Sequence, residues 1–280
     1  MRIITDSAAD LTGEELLSLD VDCVPMQVIF GEETFTAGKD LTDEELWNRL
    51  LAGQIGKTSQ PSPDAFLREF ERVKANGEEA VCILVSSALS GTLQSAAIAL
   101  SMIDYDRIYL VESLSAAAGQ KLLVMQACRL RSEGRLTARE IADKLEALRS
   151  RIRLFACLDT LENLARSGRI SQTAASFGRL AQLKPIARLT DEGRIDVCGK
   201  AIGRHRAIDA LSKMIADLRI DPQIPVIPLY THTTDNCLAL IKKLRAGGVC
   251  VQEELLSPLG ATLAVHIGAG AFGVAFIEAQ

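Results

Sequence analysis

Unbroken apolar runs alternate with amphipathic stretches through the first half of the chain. Ala80-Val81-Cys82-Ile83-Leu84-Val85 is entered from a Gly-Glu-Glu segment, the pattern of a parallel strand buried on both faces. Arg2 to Thr5 and Arg107 to Val111 read as further strands. Val21 to Phe30 is strand-like and turns at Gly31-Glu32-Glu33 into Thr34-Phe35-Thr36, which predicts a hairpin. Three sequences of the capping-box type, beginning at Thr12, Thr42 and Thr137 and each ending in Glu three residues on, mark helix starts. Further helices are predicted over Asp64 to Lys74, Leu93 to Met102 and Ala116 to Arg131, and the Thr137 box opens one that runs to Arg149. Strands alternating with helices describe a doubly wound, Rossmann-like α/β domain over residues 1–150.

Residues 151–280 have a different rhythm. Strands are predicted at Ile152 to Cys157, Pro225 to Thr231, Val249 to Leu255, Ala261 to Ile267 and Ala271 to Ile277. Pro185 to Leu189 and Arg194 to Val197 flank the turn Asp191-Glu192-Gly193 and make a hairpin. Helical stretches fall at Asp159 to Ala165, Arg169 to Leu180, Arg206 to Leu218 and Thr234 to Arg245. Hairpins mixed with helices indicate an α+β domain with a mixed sheet.

Composition narrows the partners. The 280 residues are 48% hydrophobic, only 4% aromatic, and carry a formal charge of −5, a poor match to a nucleic-acid binder, which needs a basic face and stacking rings. The seven cysteines form no C-x-x-C pair and mostly sit inside apolar runs, as in a reducing, cytoplasmic setting. His205, His232 and His266 lack paired-ligand spacing, so no metal is expected. Met1 to Thr5 leads into Asp6-Ser7 with no signal-peptide core. Leu259 to Ile277 is long enough to span a bilayer, but four glycines and His266 interrupt it, and two buried strands are expected there instead of a membrane insertion.

The candidate chemistry centres on Ser86-Ser87-Ala88-Leu89-Ser90-Gly91-Thr92. This stretch follows a parallel strand, at the carboxyl end where ligands of open α/β sheets bind. A helix starts near Gly91, so its free N–H groups and dipole face the loop, making a receptor for a carboxylate or phosphate. Lys57-Thr58-Ser59-Gln60-Pro61-Ser62-Pro63 is a second hydroxyl-rich segment, expected to be a loop stiffened by its prolines, with Ser62 capping the helix that follows.

These segments, with Thr5-Asp6-Ser7, Ser167-Gly168-Arg169-Ile170-Ser171, Lys184-Pro185-Ile186, Gly193-Arg194-Ile195 and His266-Ile267-Gly268-Ala269-Gly270, stand in the order found in one family. Together they cover essentially the whole chain, and the sequence resembles the DegV family. That resemblance implies a two-domain protein, without a cofactor, that holds one long-chain fatty acid between its domains. It implies that Thr58 and Ser90 contact the carboxylate with His266 at the same polar end, and the hydroxyls and helix N–H groups beside them add Ser59, Gly91 and Thr92 to the expected site. It further implies presentation of the acid to a fatty acid kinase, whose acyl phosphate feeds phospholipid synthesis, with Arg169 and Arg204 as kinase contacts. The chain departs from the family in Lys200-Ala201-Ile202-Gly203, where the usual arginine is Ile202, a change that bears on the kinase encounter.

The alternative is a serine-dependent esterase using Ser90 and His266. It lacks a G-x-S-x-G elbow, but a Ser–His approach in space would supply its central requirement.

Overall fold

In the computed structural model, which describes residues 1–170 and 182–279, the apolar run Ala80–Leu84 (β6) is buried at every position. It lies beside Arg2–Asp6 (β1) in a parallel sheet ordered β2-β1-β6-β7, with Val21–Val24 as β2 and Ile108–Glu112 as β7. Side chains of alternating parity leave this sheet on opposite sides. Ile4, Cys82 and Leu84 pack on Pro63–Ala75 (α3) and Thr92–Met102 (α4) through Phe66, Phe70, Ala96 and Ala99. Ile3, Val81 and Ile83 pack on Ala117–Glu133 (α5) and Ala138–Arg149 (α6). Helices on both faces of a parallel sheet are the expected doubly wound arrangement.

The later strands form a mixed sheet ordered β10-β9-β8-β13-β11-β12. Its members are Ile152–Cys157 (β8), Leu183–Leu189 (β9), Ile195–Ile202 (β10), Ile227–Tyr230 (β11), Ser257–Pro258 (β12) and Phe272–Ile277 (β13). One face carries Phe155, Cys157 and Ile186 against Arg204–Ala216 (α8) and Asp235–Ala246 (α9). The other carries Ala156, Ala187 and Leu229, which share a core with α5. Helix α5 therefore lies between the two sheets, and its burial on nearly every side explains why Gln120 and Lys121 are inside. Lys121 meets Glu15 at 2.5 Å, pairing the buried charge.

Several local expectations change. Val21 to Phe30 is two strands: Pro25 lies between β2 and Gln27–Phe30 (β3), which pairs with Glu33–Thr36 (β4) and Gly56–Ser59 (β5) in a separate antiparallel sheet. Thus Lys57 to Ser59 is a strand rather than a loop. The predicted strand at Val249 to Leu255 is a loop with a short 3-10 turn at Glu253–Leu255, because Gln252, Glu253 and Glu254 break any alternation. Ala261–Ile267 is a helix (α10), not a strand. Five of its seven residues are apolar, and so short a run carries no period that separates the two states. No helix among the described residues is long and apolar enough to cross a membrane. Of the helix predicted from Arg169 to Leu180, residues 171–180 lie outside the described residues.

Helix α10 joins the small sheet to the rest. Ala261, Ala264 and Val265 pack on Val28, Phe30 and Leu46, the last from Asp43–Leu51 (α2). Its start is tied to the loop after β1: Gly260 N donates to Asp10 Oδ1 at 3.0 Å, and Ser7 Oγ and Thr262 Oγ1 are 2.9 Å apart.

Candidate functional site

In the parallel sheet, β1 and β6 are neighbours, yet the chain leaves β1 for one side and β6 for the other. A crevice opens beyond the carboxyl ends of strands at such a switch point. Asp6 braces it. The buried carboxylate accepts from Ala8 N and Val85 N, each at 2.8 Å, binding the loop after β1 to the loop after β6. Burial pushes the Asp6 carboxyl up to about 6, against those two donors.

A cavity of about 110 Å³ extends from this crevice along the α5-facing side of the mixed sheet. Ala8, Met26, Val85, Leu89, Ala116 and Ala117 form its wall from the parallel-sheet half; Ala156, Leu158, Ala187 and Leu229 form its floor. Six polar residues join an otherwise apolar lining: Thr58, Ser90, Arg169, Thr262 and His266, with Arg188 farther along on β9. The structure thus brings Thr58, Ser90 and His266 to one cavity, as the sequence predicts.

Each of the two hydroxyls has a second group behind it. Thr58 Oγ1 lies 2.7 Å from His266 Nε2, and Ser90 Oγ lies 2.8 Å from Thr92 Oγ1. Thr58 points inward because β5 alternates: Thr58 is half-buried and Ser59 exposed. Ser59 is not part of the lining, a correction that follows from the strand geometry. Gly91 is the N-cap of α4 and no side chain caps that helix, which leaves its first-turn N–H groups without the usual side-chain acceptor.

Gln60 locks the two segments together. Its Nε2 donates to Ser95 Oγ at 3.0 Å, and its amide lies so close to Gly91 that a Cβ there would stand 2.2 Å from Gln60 Oε1. Glycine at position 91 is thus favoured by this side-chain contact rather than by its backbone angle. The sequence placed Gln60 within a motif but gave it no role.

The His266 ring is buried, and its Nδ1 has no hydrogen-bond partner among the described residues. Burial first, and then the positive charge of Arg169, push the imidazole down to about 4. The ring is therefore neutral near pH 7. Arg169 Nε donates to Leu89 O at 3.3 Å and Nη1 to Ser167 O at 2.6 Å. Those carbonyls hold the guanidinium between the end of Glu162–Arg166 (α7) and the Ser86–Thr92 segment. No carboxylate pairs with it among the described residues. Arg169 sits in the cavity lining rather than only on the surface where a kinase contact was expected. Arg204 is elsewhere, exposed at the start of α8 and 3.8 Å from Asp159.

Thr58, Arg169 and His266 also line an outer groove with Leu51, Ile55, Lys57 and Arg166. The polar end of the cavity thus meets the surface. Leu51 and Ile55 are 59% and 50% exposed, beside two further cations.

A family model described as "Uncharacterised protein, DegV family" matches residues 1–279. The chain belongs to the DegV family. A DegV domain-containing protein of Staphylococcus aureus strain COL is 30% identical over 276 residues, which cover 99% of this chain and 98% of that one. Among solved structures, a fatty-acid-binding DegV family protein from Thermus thermophilus superposes with a TM-score of 0.88 at 30% identity, over 100% of both chains. A stearic-acid-binding protein from Eubacterium ventriosum gives 0.87 at 26% identity, over 99% of this chain and 98% of that one. DegV-family structures bind fatty acids, and the ordered motifs of the sequence identify their family correctly.

Proposed function

We propose that this DegV protein binds one long-chain fatty acid, tail in the cavity and carboxylate at Thr58, Ser90 and Arg169, and presents it to a fatty acid kinase in the cytoplasm. The observation that carries the reading is the cavity's polarity. A mostly apolar passage, whose other arginine Arg188 pairs with Asp196, ends at Thr58, Ser90 and Arg169, and Arg169 meets no carboxylate among the described residues. Burying the tail contributes about 0.8 kcal/mol per methylene, and charge-assisted hydrogen bonds orient the head.

The backing groups set the direction of those bonds. With the imidazole neutral and its proton on Nε2, His266 donates to Thr58 Oγ1, and the Thr58 proton is left to donate into the cavity. Thr92 does the same for Ser90 when its hydroxyl is the donor. His266 is then a positioning residue that acts through Thr58. Gly91 and the free N–H groups of α4 add the positive end of a helix to the site.

The outer groove supports presentation. It brings solvent, and room for a second protein, to Thr58, Arg169 and His266. In the kinase step a carboxylate oxygen attacks the γ-phosphorus of ATP, ADP leaves, and an acyl phosphate forms for phospholipid synthesis. This chain contributes the held carboxylate; the kinase contributes the nucleotide site.

Native mass spectrometry of the purified protein tests the binding reading: an acyl chain should be carried or taken up from added palmitate. An empty protein that ignores added palmitate overturns it. The kinase reading is tested by mixing loaded protein with ATP and a fatty acid kinase and trapping acyl phosphate with hydroxylamine; no hydroxamate from any such kinase overturns that part alone.

The esterase alternative finds no support in the geometry. The hydroxyl nearest the His266 ring is Thr58, not Ser90. Its Nδ1 meets no orienting carboxylate among the described residues, and a ring held near a pKa of 4 is a weak general base.

A further inference from the structure

Two conspicuous features have no part in the head-group chemistry. Ser86 opens the hydroxyl-rich stretch but faces away from the cavity's polar end. Gly193-Arg194-Ile195 forms the end of a distant hairpin turn. The structure joins them: Ser86 Oγ donates to Gly193 O at 2.9 Å. Gly193 has φ +71°, and a Cβ there would stand 2.1 Å from Ser86 Oγ and 3.0 Å from Leu114 Cα. The β9–β10 turn is thus seated tightly on the parallel-sheet half.

Beside that turn, the floor of the cavity changes character. The mixed sheet's strands lie abreast in fixed register: Ala156 pairs with Ala187, Phe155 with Arg188, and Leu189 with Ile195. Neighbouring rows on the cavity face are therefore Ala156 and Ala187, then Leu154, Leu189 and Ile195. The polar end adjoins Leu158, which leads into α7 and Arg169. From Leu158 to Leu154 is four residues along β8, about 13 Å of strand. The floor thus runs from the head past two alanines to a row of three larger, branched side chains beside Arg188. All three line the cavity.

We infer that Leu154, Leu189 and Ile195 are the stop for the acyl tail and set the longest chain accepted, with the Ser86–Gly193 contact holding the hairpin in place behind them. This inference rests on the fatty-acid reading and adds to it the residues that measure chain length. The substrate class that follows is a straight-chain acid whose terminal methyl reaches this row.

The test is a homologous series of saturated acids, from about ten to about twenty carbons, competed against a fluorescent acid. Each added methylene should tighten binding about fourfold until the tail meets the row, after which affinity stops rising. Ile195→Ala and Leu154→Ala should move that break to acids longer by one or two methylenes, and Ile195→Phe should move it to shorter ones. Opposite shifts from a smaller and a larger side chain at one position are not produced by general loosening. Ser86→Ala should blunt the break; since Ser86 Oγ also accepts from Ala88 N in the loop that carries Ser90, its effect is read from the shape of the length series and not from absolute affinity. Wild-type length dependence in Ile195→Ala, Ile195→Phe and Leu154→Ala overturns the stop while leaving the fatty-acid reading intact. A parent protein that binds no acid of any length removes that reading and the stop with it.

Discussion

Thr58 and Ser90 offer the same group to the same cavity, and their surroundings are built in opposite ways. Ser90 is supported locally. Thr92, two residues on, backs its hydroxyl and is the first residue of the helix that supplies free N–H groups. Thr58 is supported over a long range. Its strand is held by β3, and its backing group, His266, is 208 residues away on α10. Gln60 is the cross-tie between them. One half of the site is thus a property of a short peptide, while the other exists only when both halves of the chain have folded together. Loss of the Ser90 or Thr92 hydroxyl should act on binding alone. Changes in the Thr58 half should act on binding and on folding.

The widest break of this comparison removes both hydroxyls. A hydrogen bond to a charged group is worth about 1.5–3 kcal/mol. Thr58→Ala with Ser90→Ala should therefore weaken palmitate binding by roughly two to four orders of magnitude, with circular dichroism unchanged. A competition titration that finds less than about tenfold loss would place the carboxylate elsewhere.

The long-range half also carries a pH signature. His266 in the folded protein is pushed down to about 4 from its ordinary 6.5. Between those values the unfolded chain binds the extra proton and the folded chain does not. Stability from this group is thus complete above about 6.5 and is lost as pH falls toward 4, by up to about 3 kcal/mol. Asp6 works in the opposite direction: its raised pKa makes its contribution complete below 3.8 and lost as pH rises through about 6. Comparing the parent with His266→Gln cancels the Asp6 effect, since both proteins keep it. The parent's urea midpoint, relative to the variant's, should fall between pH 7 and pH 4. A constant difference would mean that His266 is not buried neutral.

The cross-tie is tested by filling the space it occupies. Gly91→Ala has an ordinary backbone angle, φ −75°, so its cost is displacement of the Gln60 amide and loss of its bond to Ser95. About 1 kcal/mol of stability should go, with an accompanying loss of fatty-acid affinity. In a Gln60→Ala background the same substitution should cost much less, because the obstructing amide is already absent. Equal costs in both backgrounds, read from thermal melts and binding together, would show that Gln60 does not join the two segments.

The same division explains what could be read from the chain directly. The parallel sheet, its helices and the Ser90 half all follow from local signals: an apolar run, an N-terminal helix signal, a hydroxyl-rich turn. Thr12 and Thr137 make the full capping boxes expected of them. Thr42 makes only half of one, since Glu45 turns to Arg49. The Thr58 half reads as a loop, because Gly56–Ser59 is a polar strand with no apolar alternation and its pairing partner is far away. Helix α10, carrier of His266, reads as a strand, because Ala261–Ile267 is short and five of its seven residues are apolar. Arg169 gave no sign of reaching the cavity. The motif it belongs to fixes its neighbours, but only the tertiary contact with Leu89 O decides where its charge goes.

The finest discrimination is between the two backing groups themselves. Replacing Thr92 by Val keeps the shape and removes the hydroxyl behind Ser90; replacing His266 by Phe keeps a buried ring and removes the donor behind Thr58. Each should weaken palmitate binding by about 0.5–1.5 kcal/mol, roughly two- to twelvefold. The two differ in what silences them. If His266 acts through Thr58, its effect on binding should vanish in a Thr58→Ala background and persist in Ser90→Ala. If Thr92 acts through Ser90, the opposite pattern should appear. Cross pairs should add to within about 0.5 kcal/mol, since they share no partner. Coupling of His266 to Ser90 instead of Thr58 would mean that the ring reaches the carboxylate itself, and the separation into a local half and a long-range half would fail at its centre.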